Sequence, residues 1–378
     1  MVLQFYDILK IIAAFQFLLV SIFLITHKQI SNKIFATFLL SKALSIVDSL
    51  LFRFKEYIYV DFPHIFCIAG TFIFLYGPSL YFYTKSLAYR GFKFKKIHTF
   101  HLIPFISYWI FMTFRFHIHS TEIKRELLAS TYFFNYYEAL IVFGFLFIQI
   151  LAYTIASLCV LQSYRSEIKK VFSSIDRINL SWLSFLLFGF IVIWLMEFSN
   201  FIILMTTGTS LLFLNIVSLM SIFIFANAIV YRGLRQPKVF SGIEKRPKYE
   251  KSSLTKSDSE RYLKDLIAYM EIKKPYLIPS LTLNDLAEKL SIPARYLSQV
   301  INESLNQNFF DFINSYRIEE AKRYLMDRSN SKKTILEVLY EVGFNAKSTF
   351  NSVFKKHTGM TPSEFKKLHS NPKFGKRP

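Results

Sequence analysis

The stretch that decides the fold of the C-terminal region is GFNAKSTFNSVFKKHTGMTPSEFKK, residues 343–367. With the preceding ILEVLYEV, residues 335–342, it predicts two short helices joined by a turn at Gly343. The apolar faces of the two helices would consist of Ile335, Val338, Leu339 and Val342, then Phe350, Val353 and Phe354. The opposite face of the second helix carries Lys347, Ser348, Asn351, Ser352 and Lys355. Such side chains can hydrogen-bond to base edges in the major groove of DNA.

The same pattern occurs some fifty residues earlier, in LTLNDLAEKLSIPARYLSQVINESL, residues 281–305. Thr282 with Asp285 predicts the N-cap of a first helix, and Pro293 suits the first position of a second. The buried face of this second helix would be Leu297, Val300 and Ile301, and its polar face Arg295, Ser298, Gln299 and Asn302. A solvated face without a binding role is the alternative, and the recurrence of the pattern favours DNA binding.

The segment between the two units, NFFDFINSYRIEEAKRYLMD, predicts a connecting helix over residues 308–327. A helix of that length spans roughly 30 Å at 1.5 Å per residue. One turn of B-DNA is about 34 Å. The connector therefore suits two recognition helices in successive major grooves, so that a single chain would read both half-sites.

These motifs resemble the DNA-binding domain of the AraC/XylS transcriptional activators, over about residues 258–370. The resemblance implies base-reading positions at Arg295, Ser298 and Gln299 in the first unit and at Lys347, Ser348, Asn351 and Ser352 in the second. The family also has a Thr-Pro pair, here Thr361 and Pro362. With Glu364 these residues predict a capping box with proline at the first position of a helix, which explains the pair physically. Two departures are Leu339, where the family usually has Ala, and Ala346, which replaces an N-cap Ser and leaves Asn345 as the candidate cap.

The composition of the whole chain divides after Tyr231. Of 378 residues, 52% are hydrophobic and 43 are Phe, yet the formal net charge is +20. Residues 1–231 hold 34 Phe, whereas residues 232–378 hold 28 Lys and Arg against 16 Asp and Glu. A low share of charged residues argues against an ordinary soluble enzyme. The apolar and the basic character therefore belong to different regions.

Seven apolar runs in residues 1–231 are long enough to cross a bilayer as helices. They lie near residues 8–26, 34–52, 64–84, 97–114, 139–161, 180–204 and 209–231. Lys and Arg collect in the loops after the first, third and fifth runs. Because positive charge marks the cytoplasmic side of short loops, we expect a multi-pass protein of the bacterial inner membrane with its N-terminus outside and its basic tail in the cytoplasm.

Ionisable residues inside the runs are candidates for a signal site, because charge in a bilayer is costly. Glu197 and Asp48 are the candidates we select, with Lys42 as a weaker one. Pairing with neighbouring groups, without a binding role, is the alternative for each. His98 and His101 are predicted to be interfacial rather than metal ligands, and Cys67 and Cys159 to be small buried hydrophobes. No metal site and no cofactor is expected.

A juxtamembrane linker is predicted over residues 232–257, because the segment is basic, holds two prolines and lacks an apolar period. Ser257 with Glu260 predicts a capping box that opens a helix over residues 258–273, ending before Pro275. The expected organisation is thus a membrane domain (1–231), the linker (232–257), a DNA-binding domain (258–370) and a basic tail (371–378).

The predicted fold class is all-α, a seven-span transmembrane bundle followed by a double helix-turn-helix domain. We expect a membrane-embedded transcription regulator and not an enzyme, with the bundle as sensor. Its expected partners are promoter DNA, the lipid bilayer and an unidentified small-molecule or envelope signal, and a homodimer is left open. The alternatives are a transporter or intramembrane enzyme with an accessory DNA-binding tail, and a passive anchor. The sequence does not name the signal, the operator or the direction of regulation.

Overall fold

The computed structural model describes residues 3–130, 133–176, 178–235, 254–327 and 333–370. The protein is 80% helical, and the described residues contain isolated β-bridge positions, such as that of Phe172 with Thr282, but no strand. The all-α prediction is confirmed. Most of the predicted linker and the basic tail at residues 371–378 lie outside the described residues.

The chain divides into two compact units. One consists of Met1–Gln162 and Leu180–Glu244, and the other of Ser163–Asn179 and Lys245–Pro378. Residues 163–179 join the fifth and sixth predicted spans, yet they belong to the same unit as the basic C-terminal region. No local pattern in the sequence indicated that grouping.

The first unit contains the seven predicted spans. Within the described residues, seven helical segments are long and apolar enough to cross a membrane, as predicted. They are Phe5–Ile25 (α1), Ile30–Arg53 (α2), Pro63–Ala88, Lys96–His117, Tyr136–Lys169 (α7), Ser181–Thr207 (α8) and Leu212–Tyr231, the last within a helix that extends to Arg235 (α9). Two short helices, Lys55–Ile58 (α3) and Thr121–Ala129 (α6), lie in the loops between spans.

The third and fourth spans are not regular α-helices throughout. The third contains a 3₁₀ segment, Ala69–Leu75, ahead of an α-helix at Tyr76–Ala88 (α4). In the fourth, a 3₁₀ segment at Lys96–Leu102 precedes the α-helix Ile103–Met112 (α5). Mid-helix 3₁₀ geometry often marks a functional or strained position.

Aromatic side chains both fill this unit and cover its surface. Phe17 and Phe35 are fully buried, whereas Phe185 is 72% exposed and Phe213 is 73% exposed. Exposed aromatic surface on this scale suits contact with lipid rather than water. Cys67 is buried as predicted, but the prediction for Cys159 is wrong, because it lies on the exposed face of α7. An apolar run does not tell which face of its helix meets the bundle.

Among the described residues, the second unit contains seven α-helices and the segment 163–179. The helices are Lys256–Lys273 (α10), Leu283–Leu290 (α11), Ala294–Ser304 (α12), Phe309–Met326 (α13), Ile335–Glu341 (α14), Lys347–Thr358 (α15) and Pro362–Ser370 (α16). One core cluster combines Leu266 and Met270 of α10 with Leu286, Leu297 and Ile313 from the following helices. α10 therefore packs as part of the domain.

The start of α10 corrects one prediction. The helix begins two residues earlier than expected, because Thr255 Oγ1, not Ser257, accepts the capping hydrogen bond from Asp258 N. Thr255 and Asp258 have the same three-residue spacing as Ser257 and Glu260, so spacing alone did not distinguish the two pairs.

Candidate nucleic-acid interface

The first helix-turn-helix unit consists of α11 and α12. Thr282 and Asp285 form the predicted capping box, with Thr282 N donating to Asp285 Oδ2 at 2.9 Å. The turn passes through Ser291 at φ 53°, and Pro293 is the N-cap residue of α12, one position before the predicted one. Leu297, Val300 and Ile301 are fully buried, as predicted. Burial of this face fixes the orientation of α12.

The predicted polar face of α12 is only partly exposed. Arg295 is exposed, with its guanidinium 5.0 Å from the centre of the Tyr296 ring. Ser298 is only 8% exposed and Gln299 only 9% exposed, so the expectation of a free face at these two positions is wrong. Helical periodicity shows which side chains turn away from the domain's own core. It does not show whether other groups cover them.

Hydrogen bonds along α12 involve the same polar side chains. Gln299 Nε2 donates to Glu303 Oε2 at 3.0 Å. Asn302 Nδ2 donates to the main-chain oxygen of Ser298 at 2.7 Å. Base contacts by Gln299 or Asn302 would compete with these bonds for the amide N–H groups.

The second helix-turn-helix unit consists of α14 and α15. Val338, Leu339 and Val342 are buried, as are Phe350, Val353 and Phe354, which confirms the predicted apolar faces except at half-buried Ile335. The fully buried Leu339 shows that the domain accommodates a larger side chain than Ala at this position. α14 begins with a capping box of Thr334 and Glu337, and Thr361 with Glu364 caps α16 as predicted.

The polar face of α15 is open, in contrast to that of α12. Lys347, Ser348, Ser352 and Lys355 are exposed and Asn351 is half-buried. The face lies opposite Phe350 and Phe354, whose rings are 5.6 Å apart in the domain interior. The five predicted side chains of α15 thus share one accessible surface of the helix.

Gly343 allows the turn of the second unit to lie close to the rest of the domain. Its φ is +88°, and a Cβ at this position would lie 2.8 Å from the main-chain oxygens of both Tyr276 and Leu277. Only glycine fits such a conformation and such a close approach. The turn residue thereby sets the position of α14 and α15 against the segment that follows α10.

A buried arginine, which the sequence did not single out, connects several elements of the domain. Arg317 of α13 is 0% exposed. Its Nε donates to Tyr276 O at 2.7 Å and its Nη2 to Ile278 O at 2.8 Å. Burial lowers the pKa of Arg317 to about 9, so its guanidinium is still charged at neutral pH. The burial of Arg317 could have been predicted from the sequence, because Arg317 lies four residues from both Ile313 and Ala321 on the buried face of α13.

Asn345 does not cap α15. The N-cap residue is Ala346, which supplies no side-chain hydrogen bond. Asn345 Nδ2 instead donates to Ser174 Oγ at 3.2 Å and to Pro279 O at 3.4 Å. The first turn of α15 is thus left without a capping side chain from its own N-cap.

Comparison with known proteins agrees with this geometry. A family model described as a helix-turn-helix domain matches residues 286–368. The C-terminal region is thus a helix-turn-helix domain of the AraC type. No solved structure matches the chain.

Three relatives illustrate the similarity. The chain is 34% identical over 92 residues to the Msm operon regulatory protein of Streptococcus mutans, covering 24% of this chain and 32% of that protein. It is 32% identical over 89 residues to the melibiose operon regulatory protein of Escherichia coli strain K12, covering 24% of this chain and 28% of the relative. It is 34% identical over 91 residues to an uncharacterized HTH-type transcriptional regulator of Pseudoalteromonas carrageenovora, covering 24% and 52%. The similarity therefore spans about half or less of these relatives.

The two candidate signal residues, Glu197 and Asp48, occupy different places in the first unit. Glu197 lines a pocket between helices together with Lys42, Tyr76 and Trp194. Its Oε1 accepts a 2.6 Å hydrogen bond from Ser218 Oγ, and Lys42 Nζ lies 5.1 Å from the centre of the Tyr76 ring. The pocket therefore has apolar walls and one ionisable group of each sign.

Asp48 does not line that pocket. It lies against the 3₁₀ segment of the third span, where a Cβ on Gly70 would be 2.5 Å from Asp48 Oδ2. Its buried Oδ1 has no hydrogen-bond partner among the described groups.

In the part of the chain that the structure describes, no cluster of three or more His, Cys, Asp or Glu could hold a metal ion. Each histidine of the pair has a hydrogen-bond partner, since His101 Nδ1 lies 2.6 Å from Tyr153 Oη and His98 Nδ1 accepts from Lys95 N at 3.1 Å.

Proposed function

We propose that this protein is a transcription regulator held in the bacterial inner membrane, whose C-terminal domain binds promoter DNA in the cytoplasm. The observation that carries the proposal is the open polar face of α15 on a domain of AraC type. The operon regulators among its relatives support the same class. The seven apolar helices and their exposed aromatic surface support the membrane location and the lipid partner.

DNA binding would combine two kinds of contact. Lys347 and Lys355 at the two ends of the polar face supply phosphate attraction that depends on salt. Ser348, Asn351 and Ser352 supply hydrogen bonds to base edges. After α15 has bound, α12 would contact DNA through Arg295, Ser298, Gln299 and Asn302. This contact requires Ser298 and Gln299 to become exposed. One chain then contacts two half-sites, and a homodimer is not required for that reading.

The pocket of Glu197 supports a sensing role for the membrane unit. An apolar pocket with a Lys42 ammonium and a Glu197 carboxylate suits a small amphipathic molecule that carries a polar or zwitterionic end. We propose that such a molecule is the signal and that Glu197 binds its polar end. Asp48 is a separate candidate that would act through the irregular third span.

The test of DNA binding uses the full chain in lipid nanodiscs and a duplex selected by that chain from a random library. Asn351→Ala should lower affinity for the selected duplex by about 1–3 kcal/mol and leave affinity for other sequences nearly unchanged. Lys355→Gln should weaken binding to all duplexes alike and reduce the salt slope by about one. Equal losses on every sequence for both variants would contradict base reading by Asn351.

The test of sensing compares transcripts in cells that carry the wild type, Glu197→Gln or Ser199→Ala. Ser199 is an exposed residue of the same helix and serves as the control. A change of transcript levels with Glu197→Gln alone supports the sensor. Transcripts that are unchanged in both variants favour a passive anchor, and a loss of solute uptake with unchanged transcripts favours a transporter.

A further inference from the structure

The loop between the fifth and sixth spans pairs with the main chain of the helix-turn-helix domain. Phe172 and Thr282 form an antiparallel β-bridge. Ser173 N donates to Leu281 O at 3.2 Å, and Leu283 N donates to Val171 O at 2.8 Å. The loop thereby attaches to the chain just before α11.

The side chain next to this bridge is buried in the domain. Ser173 is 1% exposed, and its Oγ donates to Leu281 O at 2.6 Å. Arg317 Nη2 donates to Ser173 Oγ at 3.2 Å and Arg317 Nη1 to Ser173 O at 3.3 Å. Asn314 Nδ2 also donates to Ser173 O, at 3.4 Å. Ser173 is therefore an anchor, held by a buried cation and by main-chain bonds.

Beyond the anchor, the loop reaches the start of the recognition helix α15. Ser174 Oγ accepts the hydrogen bond from Asn345, and Thr349 Oγ1 donates to Asp176 Oδ1. Thr349 is the third residue of α15, in the same turn as Lys347 and Ser348. A carboxylate of the loop thus contacts the first turn of a helix that carries the proposed reading face.

The base of the loop is also fixed. Tyr164 Oη donates to Ile178 O at 2.7 Å, and Arg165 Nε donates to Asn179 O at 2.9 Å. These bonds join the two ends of the segment. The loop is therefore preorganised, and little conformational entropy is lost when it docks.

The chemistry of the first turn makes this contact relevant to DNA. The N-terminus of a helix carries partial positive charge and unpaired N–H groups, and it is a preferred place for phosphate. The N-cap residue Ala346 provides no side chain for those groups. Asp176 offers a carboxylate at the same turn, where a DNA phosphate would be favoured for the same electrostatic reason.

We propose that loop 171–176 is a built-in competitor of DNA, docked on a surface formed by Leu281, Arg317, Asn345 and Thr349. Ser173 keeps the loop attached, while Asp176 exchanges with a backbone phosphate at the first turn of α15. The inference rests on the proposed DNA binding by α15, and it adds that the segment joining the fifth and sixth spans restrains this binding.

The test measures DNA affinity of the full chain in nanodiscs, with a selected duplex of about 40 base pairs, enough for two half-sites about one helical turn apart. Asp176→Asn should raise the association constant about two- to fivefold. Glu167→Gln is the matched control, because it removes the same charge from the same segment at a residue that pairs with Lys170. Its effect should be smaller than twofold, as expected for a screened charge.

A conservative variant and the pattern of outcomes make the test decisive. Asp176→Glu should keep the wild-type affinity, since it keeps the charge, so an increase in this variant too would assign the effect to altered folding and overturn the proposal. Equal affinities of Asp176→Asn and Glu167→Gln would also overturn it while leaving DNA binding intact. Absence of salt-dependent binding in all the proteins would refute the proposed function itself.

Discussion

Arg317 Nε donates a 2.7 Å hydrogen bond to the main-chain oxygen of Tyr276, which places a buried cation between α13 and the segment after α10. We expect Arg317→Lys to destabilise the second unit by about 3 kcal/mol or more, because one ammonium cannot replace the several charge-assisted bonds of a guanidinium. Amide exchange in α11 and α13 of the full chain measures this loss. The control Arg323→Lys, at a 69% exposed side chain, should change exchange little.

The segment 163–179 should stabilise the isolated C-terminal region. A fragment of residues 245–378 lacks Ser173, so Arg317 and Asn314 lose partners that they have in the whole chain. Addition of a synthetic peptide of residues 168–179 should raise the melting temperature of the fragment. A peptide with Ser173→Pro should have no effect, because proline cannot donate the bond to Leu281 O. Identical shifts with both peptides would contradict the anchor.

Replacement of the turn glycine should be costly. Gly343→Ala introduces a left-handed alanine and places a Cβ 2.8 Å from two main-chain oxygens. We expect a loss of about 2–4 kcal/mol, measured by amide exchange in α14 and α15. Gly359→Ala is the control, since Gly359 has φ +79° but no atom near its Cβ position. Its cost should be about 1 kcal/mol, from backbone strain alone.

Gln299 allows the role of α12 to be tested. Gln299→Ala should cost about 1–3 kcal/mol of affinity at a preferred duplex and relax the choice of base there. The hydrogen bond to Glu303 gives a control, because Glu303→Gln removes its charged acceptor and keeps the candidate base-reading amide. A footprinting series in which Gln299→Ala weakens all sequences equally would exclude direct readout by this residue.

Acid should loosen the last helix of the domain. A backbone hydrogen bond from Thr361 lowers the pKa of Glu364 below its usual value. A carboxyl whose folded-state pKa is depressed stabilises the fold above its unfolded pKa, and this stabilisation is lost as the pH falls through the folded value. The protection factors of the α16 amides, which correct for the intrinsic pH dependence of exchange, should therefore fall on acidification. Glu364→Gln should show faster exchange already at neutral pH and a weaker dependence on pH.

Local features of the fold were readable from the sequence. The apolar period located α11, α12, α14 and α15 because each helix buries one face against its neighbours. The capping boxes of Thr282 and Thr361 were predictable because both partners lie within one turn. The seven apolar helices followed from their length and composition. Each of these features depends on residues close together in the chain.

Long-range features were not readable. Ser173 and Arg317 are 144 residues apart, and no local pattern links them. The low exposure of Ser298 and Gln299 likewise did not follow from the period of their own helix. Asn345 had two available roles, as a cap or as a partner of a distant loop, and only the tertiary contact decided between them.

The unequal exposure of the two polar faces has a kinetic consequence. Lys347, Ser348, Ser352 and Lys355 of α15 are exposed even with the loop docked at the first turn, whereas Ser298 and Gln299 of α12 are buried. Operator changes in the half-site of α15 should therefore alter the rate of arrival at DNA. Changes in the other half-site should alter mainly the residence time. One promoter would then contain one half-site that controls association and another that controls dissociation.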